Sequence, residues 1–223
     1  YLLTRLTEWL DKAFEAPEEN VKIVFGILKA IVAHLYLAWI HPFGDGNGRT
    51  ARLMELQILL ACGVPSASAQ LLSNHYNQTR SVYYRQLDMA SQSGGDILPF
   101  VRYAVQGLVD GLKEQLEVIR SQQLHVHWIN YVHTLFHDQE NQTALRRRRL
   151  VIDLTEATEP VPLAKVRHIS PRIAEAYAGK TDKTVQRDLN ELEKMDLIVR
   201  TAKGVRVKRE LMVAFLPNRR TDT

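Results

Sequence analysis

Apolar positions along the chain fall into helical stripes separated by short polar or glycine–proline breaks. Leu2 to Phe14 reads as an amphipathic helix ended near Pro17. Val21 to Ile40 holds no proline and repeats Ile23, Ile27, Ile31 and Leu35 at one-turn spacing, which predicts a long apolar helix stopped by Pro42. Arg49 to Ala61 predicts the next helix, with Leu53, Leu56, Leu59 and Leu60 inside it, closed by Gly63-Val64-Pro65. A further helix is expected over Asn74 to Leu87, a turn at Ser93 to Asp96, and one or two long helices from Leu98 to about Phe136.

The pattern then shifts. Asp138 to Gln142 is polar, and Arg146-Arg147-Arg148-Arg149 opens a helix through Leu154. Glu159-Pro160-Val161-Pro162 is a break. Pro171 to Ala178 predicts a short helix, Gly179 a turn, and Thr181 the N-cap of a helix to Met195, with Val185, Leu189 and Leu192 at core spacing. Leu197 to Arg200 and Val205 to Val207 predict short strands around a Lys203-Gly204 turn. The expected divisions are 1–137, a linker 138–144, a second domain 145–216 and a tail 217–223.

The stretch His41 to Arg52, H-P-F-G-D-G-N-G-R-T-A-R, concentrates the chemistry. Gly46-Asn47-Gly48 falls at a helix N-terminus, where unpaired N–H groups and the helix dipole favour an anion. Helical side chains lean toward the N-terminus, so Arg49 and Arg52 can reach back over that anion. Two guanidiniums beside a ring of N–H donors suit a polyphosphate. Asp45 supplies a hard oxygen for a divalent cation such as Mg²⁺. His41, at the other lip, can take a proton from a hydroxyl.

Composition adds bounds. The 223 residues are 45% hydrophobic and 24% charged, ordinary for one large or two modest globular domains. One cysteine, Cys62, forms no internal disulfide and reads as a small core residue, which with no leader in view points to the cytoplasm. No apolar run is expected to approach the length of a membrane span, and Ile31 to Ile40 is broken by His34. The net charge of +4 matters less than where the basic residues lie. His125, His127, His133 and His137 lack an acidic or cysteine cluster and read as ordinary linker-helix histidines.

The His41–Arg52 stretch resembles the signature of the Fic (Fido) family, H-P-F-x-D/E-G-N-G-R-x-x-R, at every defined position. The resemblance implies a mainly α fold, a Fic-type helical bundle, and transfer of AMP from ATP to a hydroxyl of a target protein. By position, it makes His41 the base and gives Mg²⁺ to Asp45. The α-phosphate goes to Gly46, Asn47 and Gly48, and the β- and γ-phosphates to Arg49 and Arg52. Phe43 becomes a core anchor. Asn74 to Leu87 resembles the helix that lines the nucleotide pocket in relatives, which makes Tyr83 and Tyr84 candidate adenine contacts. The family's target-binding flap is expected before Tyr1. Its inhibitory pattern, S/T-x-x-x-E-G/N, is met only in part, by Thr4 to Glu8 followed by Trp9 and by Glu140-Asn141, so an inhibitory glutamate is expected upstream or on another chain. Gly46 and Arg49 argue against the kinase-acting relatives. Removal of AMP, or transfer of another phosphate-linked group, stays open.

Residues 145–216 resemble a winged helix–turn–helix, a small α+β domain, with Asp196 where glycine is usual before the wing. That resemblance implies docking of DNA or protein, or a homodimer. Lys180, Lys183, Gln186 and Arg187 on the helix, and Arg200, Lys203, Arg206, Lys208 and Arg209 on the wing, are the candidate DNA contacts, diluted by Asp182, Asp188, Glu191 and Glu193. A nucleotide-sensing DNA-binding regulator is therefore the alternative reading.

Overall fold

The computed structural model describes residues 1–14, 16, 18–139 and 141–215. Pro17, Glu140 and the tail 217–223 lie outside the described residues. As expected, a mainly helical bundle is followed by a small region with a two-stranded hairpin. The chain forms two compact units, Tyr1–Glu117 and Val118–Thr223.

The first unit holds α1 (Leu2–Ala13), α2 (Lys22–Ile40), α3 (Asn47–Ala61), α4 (Ser66–Ala69), α5 (Leu71–Gln78), α6 (Arg80–Gln92) and the first part of α7 (Leu98–Leu135). A 3₁₀ turn, Glu19–Val21, leads into α2. Two apolar clusters hold these helices. Ala33, Leu37 and Ala51 join Leu6 and Leu10 in one, and the small alanines let α2 and α3 approach closely. Ile31, Leu35, Leu59, Leu72, Tyr76, Tyr83 and Phe100 fill the other.

Two expectations are corrected here. Glu19–Ile40, 22 residues holding an 18-residue stretch of mean hydropathy 2.0, is long and apolar enough by length and composition to cross a membrane. In this fold its Ala30 to Leu35 segment and Leu37 are buried core. The helix expected over Asn74 to Leu87 is two, α5 and α6, broken at Thr79. The Thr79 hydroxyl donates to the His75 carbonyl at 2.7 Å and lies 2.6 Å from the Tyr103 hydroxyl. A side chain that bonds its own preceding turn competes with the helix there.

The second unit contains the rest of α7, then α8 (Gln142–Thr155), α9 (Leu163–Val166), α10 (Pro171–Ala176), α11 (Asp182–Lys194), β1 (Ile198–Thr201) and β2 (Gly204–Val207). α8 starts before the arginine run, because the Asn141 side chain caps it by accepting from the Ala144 N–H at 2.8 Å. Ser170 caps α10, with Pro171 in its first turn. Asp196 takes the left-handed conformation expected of it, φ +60. Thr181 stands at the N-cap of α11 but makes no side-chain cap bond.

Val161, read as part of a break, instead pairs with Val205: its N–H donates at 2.8 Å and its carbonyl accepts at 2.9 Å. β2 therefore has β1 on one side and Val161 on the other. Gly204 permits this, with φ +141 and a position where a Cβ would fall 2.3 Å from the Val161 carbonyl oxygen. Gly204→Ala is expected to cost about 2 kcal/mol through strain and the displaced strand, measured by urea denaturation. A loss below about 0.5 kcal/mol would mean the pairing tolerates a side chain.

Candidate active site

The loop between α2 and α3 is shaped by two left-handed residues. His41 ends α2 with φ +47 and ψ +56, its N–H donating to the Leu37 carbonyl at 3.1 Å. A non-glycine residue there is uncommon, although histidine tolerates it better than most. Gly46 precedes α3 with φ +88.

Asn47 staples the loop. It is 5% exposed, accepts from the Phe43 N–H at 2.9 Å and donates to the Phe43 carbonyl at 2.6 Å. The Asn47 side chain thus serves the loop's own backbone. Phe43, expected as a core anchor, is 45% exposed: the loop is fixed through its backbone and the ring points outward.

Asp45 and both arginines meet at the glycines. The Asp45 carboxylate accepts from the Gly46 N–H at 2.6 Å and from Arg49 Nη2 at 2.7 Å. Arg49 Nη2 lies 3.5 Å from where a Cβ on Gly46 would stand, and Arg52 Nη1 lies 3.5 Å from where one on Gly48 would stand. Both guanidiniums therefore fold back over the N-terminal turn of α3. Among the described residues Arg52 has no carboxylate partner, and the exposed His41 imidazole makes no hydrogen bond. A groove of about 380 Å³ runs from Arg49 and Arg52 along Leu53 and Leu56 to Gln70, Ser73 and Asn74.

The tyrosine pair divides. Tyr83 is 4% exposed and its hydroxyl lies 2.9 Å from His34 Nε2, so the core takes up its ring and leaves no open face for adenine. Burial, reinforced by Glu55 and partly offset by Arg52, pushes its hydroxyl up to about 12. Tyr84 is exposed, with the Arg80 guanidinium 5.7 Å from its ring centroid.

Beneath the loop lies a polar group the sequence reading missed. Glu55 on α3 is buried, accepts from the Tyr76 hydroxyl at 2.9 Å, and sits 3.3 Å from His34 Nδ1 on α2. Burial and the Glu55 carboxylate raise Tyr76 well above its usual range, so it stays a donor. The signal was present: Glu55 occupies the buried stripe Ala51, Glu55, Leu59.

In the second unit, Lys183, Gln186 and Arg187 are exposed on α11 and bond to no described residue. Most of the cations around the hairpin are paired: Arg206 with Glu210, Lys208 with Asp196, and Arg200 with Asn190 and Glu193. Asp188, read as diluting the basic face, is 1% exposed and belongs to the core. No cluster of three His, Cys, Asp or Glu is arranged to hold a metal among the described residues.

The loop thus brings together a glycine turn at a helix start, two arginines folded over it and a histidine at its lip, an arrangement whose charge favours an anion. Residues 2–59 match the Fic/DOC family model. The chain is 36% identical over 104 residues to the protein adenylyltransferase fic-1 of Caenorhabditis elegans, covering 47% of this chain and 18% of that protein. It is 37% identical over 102 residues to the protein adenylyltransferase Fic of Drosophila melanogaster, covering 46% of this chain and 18% of that one. The match thus spans under a fifth of these relatives' length. The N-terminal part of the chain is thus similar to a Fic domain over residues 2–59, and it is followed by a small α+β region.

Proposed function

We propose that the protein is an adenylyltransferase that moves AMP from Mg·ATP to a Ser, Thr or Tyr hydroxyl of a target protein, with residues 1–137 as the catalytic part. The observation that carries this is the pair of guanidiniums, Arg49 and Arg52, folded over Gly46 and Gly48 in a loop that begins with an exposed His41. The target oxygen attacks the α-phosphorus, the α–β anhydride bond breaks, and pyrophosphate leaves while His41 accepts the hydroxyl proton. The Gly48 N–H, joined by that of Gly46 once Asp45 turns from it to the metal, meets the developing charge at the α-phosphate, and Arg49 and Arg52 take the departing phosphates. Tyr84 is the exposed aromatic left for adenine.

Asp45 fits a Mg²⁺ ion carried by the nucleotide. Its carboxylate is exposed, and one carboxylate plus phosphate oxygens and water is a common way to hold that ion. Its bond to Arg49 is solvent-exposed, hence weak, and exchangeable for the incoming metal and phosphate. Bound Mg²⁺ would neutralise phosphate charge.

The test is incubation with Mg²⁺ and ATP labelled on the α-phosphate, followed by mass spectrometry of the protein and of added lysate proteins. An AMP adduct supports transfer. Release of AMP from modified proteins, or an adduct of another mass, would replace this reading by one of its relatives.

A second reading concerns residues 145–216 as a winged helix–turn–helix that docks on DNA. The unpartnered face of Lys183, Gln186 and Arg187 favours it. Lys183→Ala with Arg187→Ala is expected to weaken duplex binding and to lower the salt slope by about 1–2. Unchanged binding and slope would favour a protein partner or a second copy.

A further inference from the structure

A groove of about 390 Å³ lies along α8 and α10 in the second unit and reaches Lys180, just before α11. Arg146, Arg149, Arg172 and Lys180 line it, against one carboxylate, Glu175. Two of these cations are anchored from behind. Arg146 Nε donates to Asp188 at 2.8 Å, with its guanidinium 5.3 Å from the Tyr177 ring centroid. Arg172 Nε donates to Asp153 at 2.9 Å, and its Nη2 bonds the same carboxylate. The other two, Arg149 and Lys180, are exposed, and their side chains bond to no described residue.

Anchored and unpartnered cations together are what a preformed anion site requires. A guanidinium already held at its Nε keeps its terminal N–H groups oriented, so little further ordering is lost on binding. Asp188 also binds Arg147, so this carboxylate is shared between two arginines, of which Arg146 lines the groove. Arg149 and Lys180 add two positive charges, and Glu175 removes one.

We propose that this groove binds a phosphoryl group. Forked guanidinium donors match phosphate oxygens, several cations on one wall exceed what a lone carboxylate ligand needs, and the volume suits a small phosphorylated ligand. The phosphoryl group belongs either to a free small molecule or to the backbone of a nucleic acid. None of the groove's residues lies in the His41–Arg52 stretch, so the site stands apart from the adenylyl-transfer reading.

The experiment uses the full chain with Arg49→Ala and Arg52→Ala, which silences phosphate binding at the Gly46 loop. Sodium pyrophosphate is titrated calorimetrically into this protein and into the same protein carrying Arg149→Ala and Lys180→Ala. Both added changes are at exposed side chains, and an unchanged melting temperature confirms the fold. The expected result is pyrophosphate binding that weakens about tenfold in the second protein. A parallel titration uses labelled duplex DNA. If pyrophosphate does not bind but duplex affinity and its salt slope fall with the same two changes, the phosphates are those of the nucleic-acid backbone. If neither probe distinguishes the two proteins, the proposal is overturned.

Discussion

His41→Ala is expected to lower AMP transfer by roughly 10²–10⁴-fold, the span a positioned general base contributes, while ATP still binds. The imidazole is exposed and bonds to no described residue, so its removal leaves Gly46, Arg49 and Arg52, the groups proposed to meet the phosphates, in place. The complication is backbone. His41 has φ +47, and alanine tolerates that region less well than histidine. His41→Asn is therefore the cleaner partner, since asparagine accepts the left-handed conformation and lacks a ring nitrogen to take the proton. Transfer and ATP affinity are measured on both variants. Loss of transfer with retained affinity in both assigns the proton to His41. Retained transfer in His41→Asn would remove the base from the mechanism. Loss of ATP affinity confined to His41→Ala would assign that part to the shape of the loop.

The shape of the His41–Arg52 loop was legible because its constraints are local. Pro42, the glycines at 46 and 48 and the arginines at one-turn reach all act within twelve residues, and the backbone takes the geometry they demand. What was not legible depends on partners distant in sequence. Tyr83 and Tyr84 are equivalent by type; the core at His34 and Phe100 decides that Tyr83 goes inward. The break at Thr79 involves Tyr103, and the strand role of Val161 exists only through Val205. Phe43 was expected as an anchor because the family resemblance gives that position the role, yet here its ring is exposed and Asn47 fixes the loop through polar bonds.

Asp188 shows how charge type alone misleads. On α11 it follows Val185 by three residues and precedes Leu192 by four, inside the buried stripe. Its carboxylate accepts from Arg146 and Arg147 at 2.8 Å each and from the Tyr177 hydroxyl at 3.0 Å. One side chain thereby ties α11 to α8 and to the end of α10, the same elements that set the exposed face of Lys183 and Arg187. Asp188→Ala leaves buried arginine charge uncompensated and is expected to cost about 3–5 kcal/mol, read as a lower urea midpoint by the fluorescence of Trp128, buried in this unit's core. Burial alone would raise the Asp188 carboxyl, but the bonds from Arg146, Arg147 and Tyr177 outweigh it and hold the group below the usual carboxylate range. A depressed value means the contribution is present above the unfolded value, about 3.9, and is lost as pH falls through the folded value. Asp188→Asn, which keeps the shape and removes the charge, should therefore be less stable than the parent at neutral pH and should lose less stability between about pH 4 and the acid limit. A parent and an Asp188→Asn variant with parallel acid limbs would mean that another carboxylate carries the acid sensitivity. An Asp188→Ala cost below about 1 kcal/mol would mean that α11 is held by its apolar stripe of Val185, Leu189 and Leu192 without the charged tie.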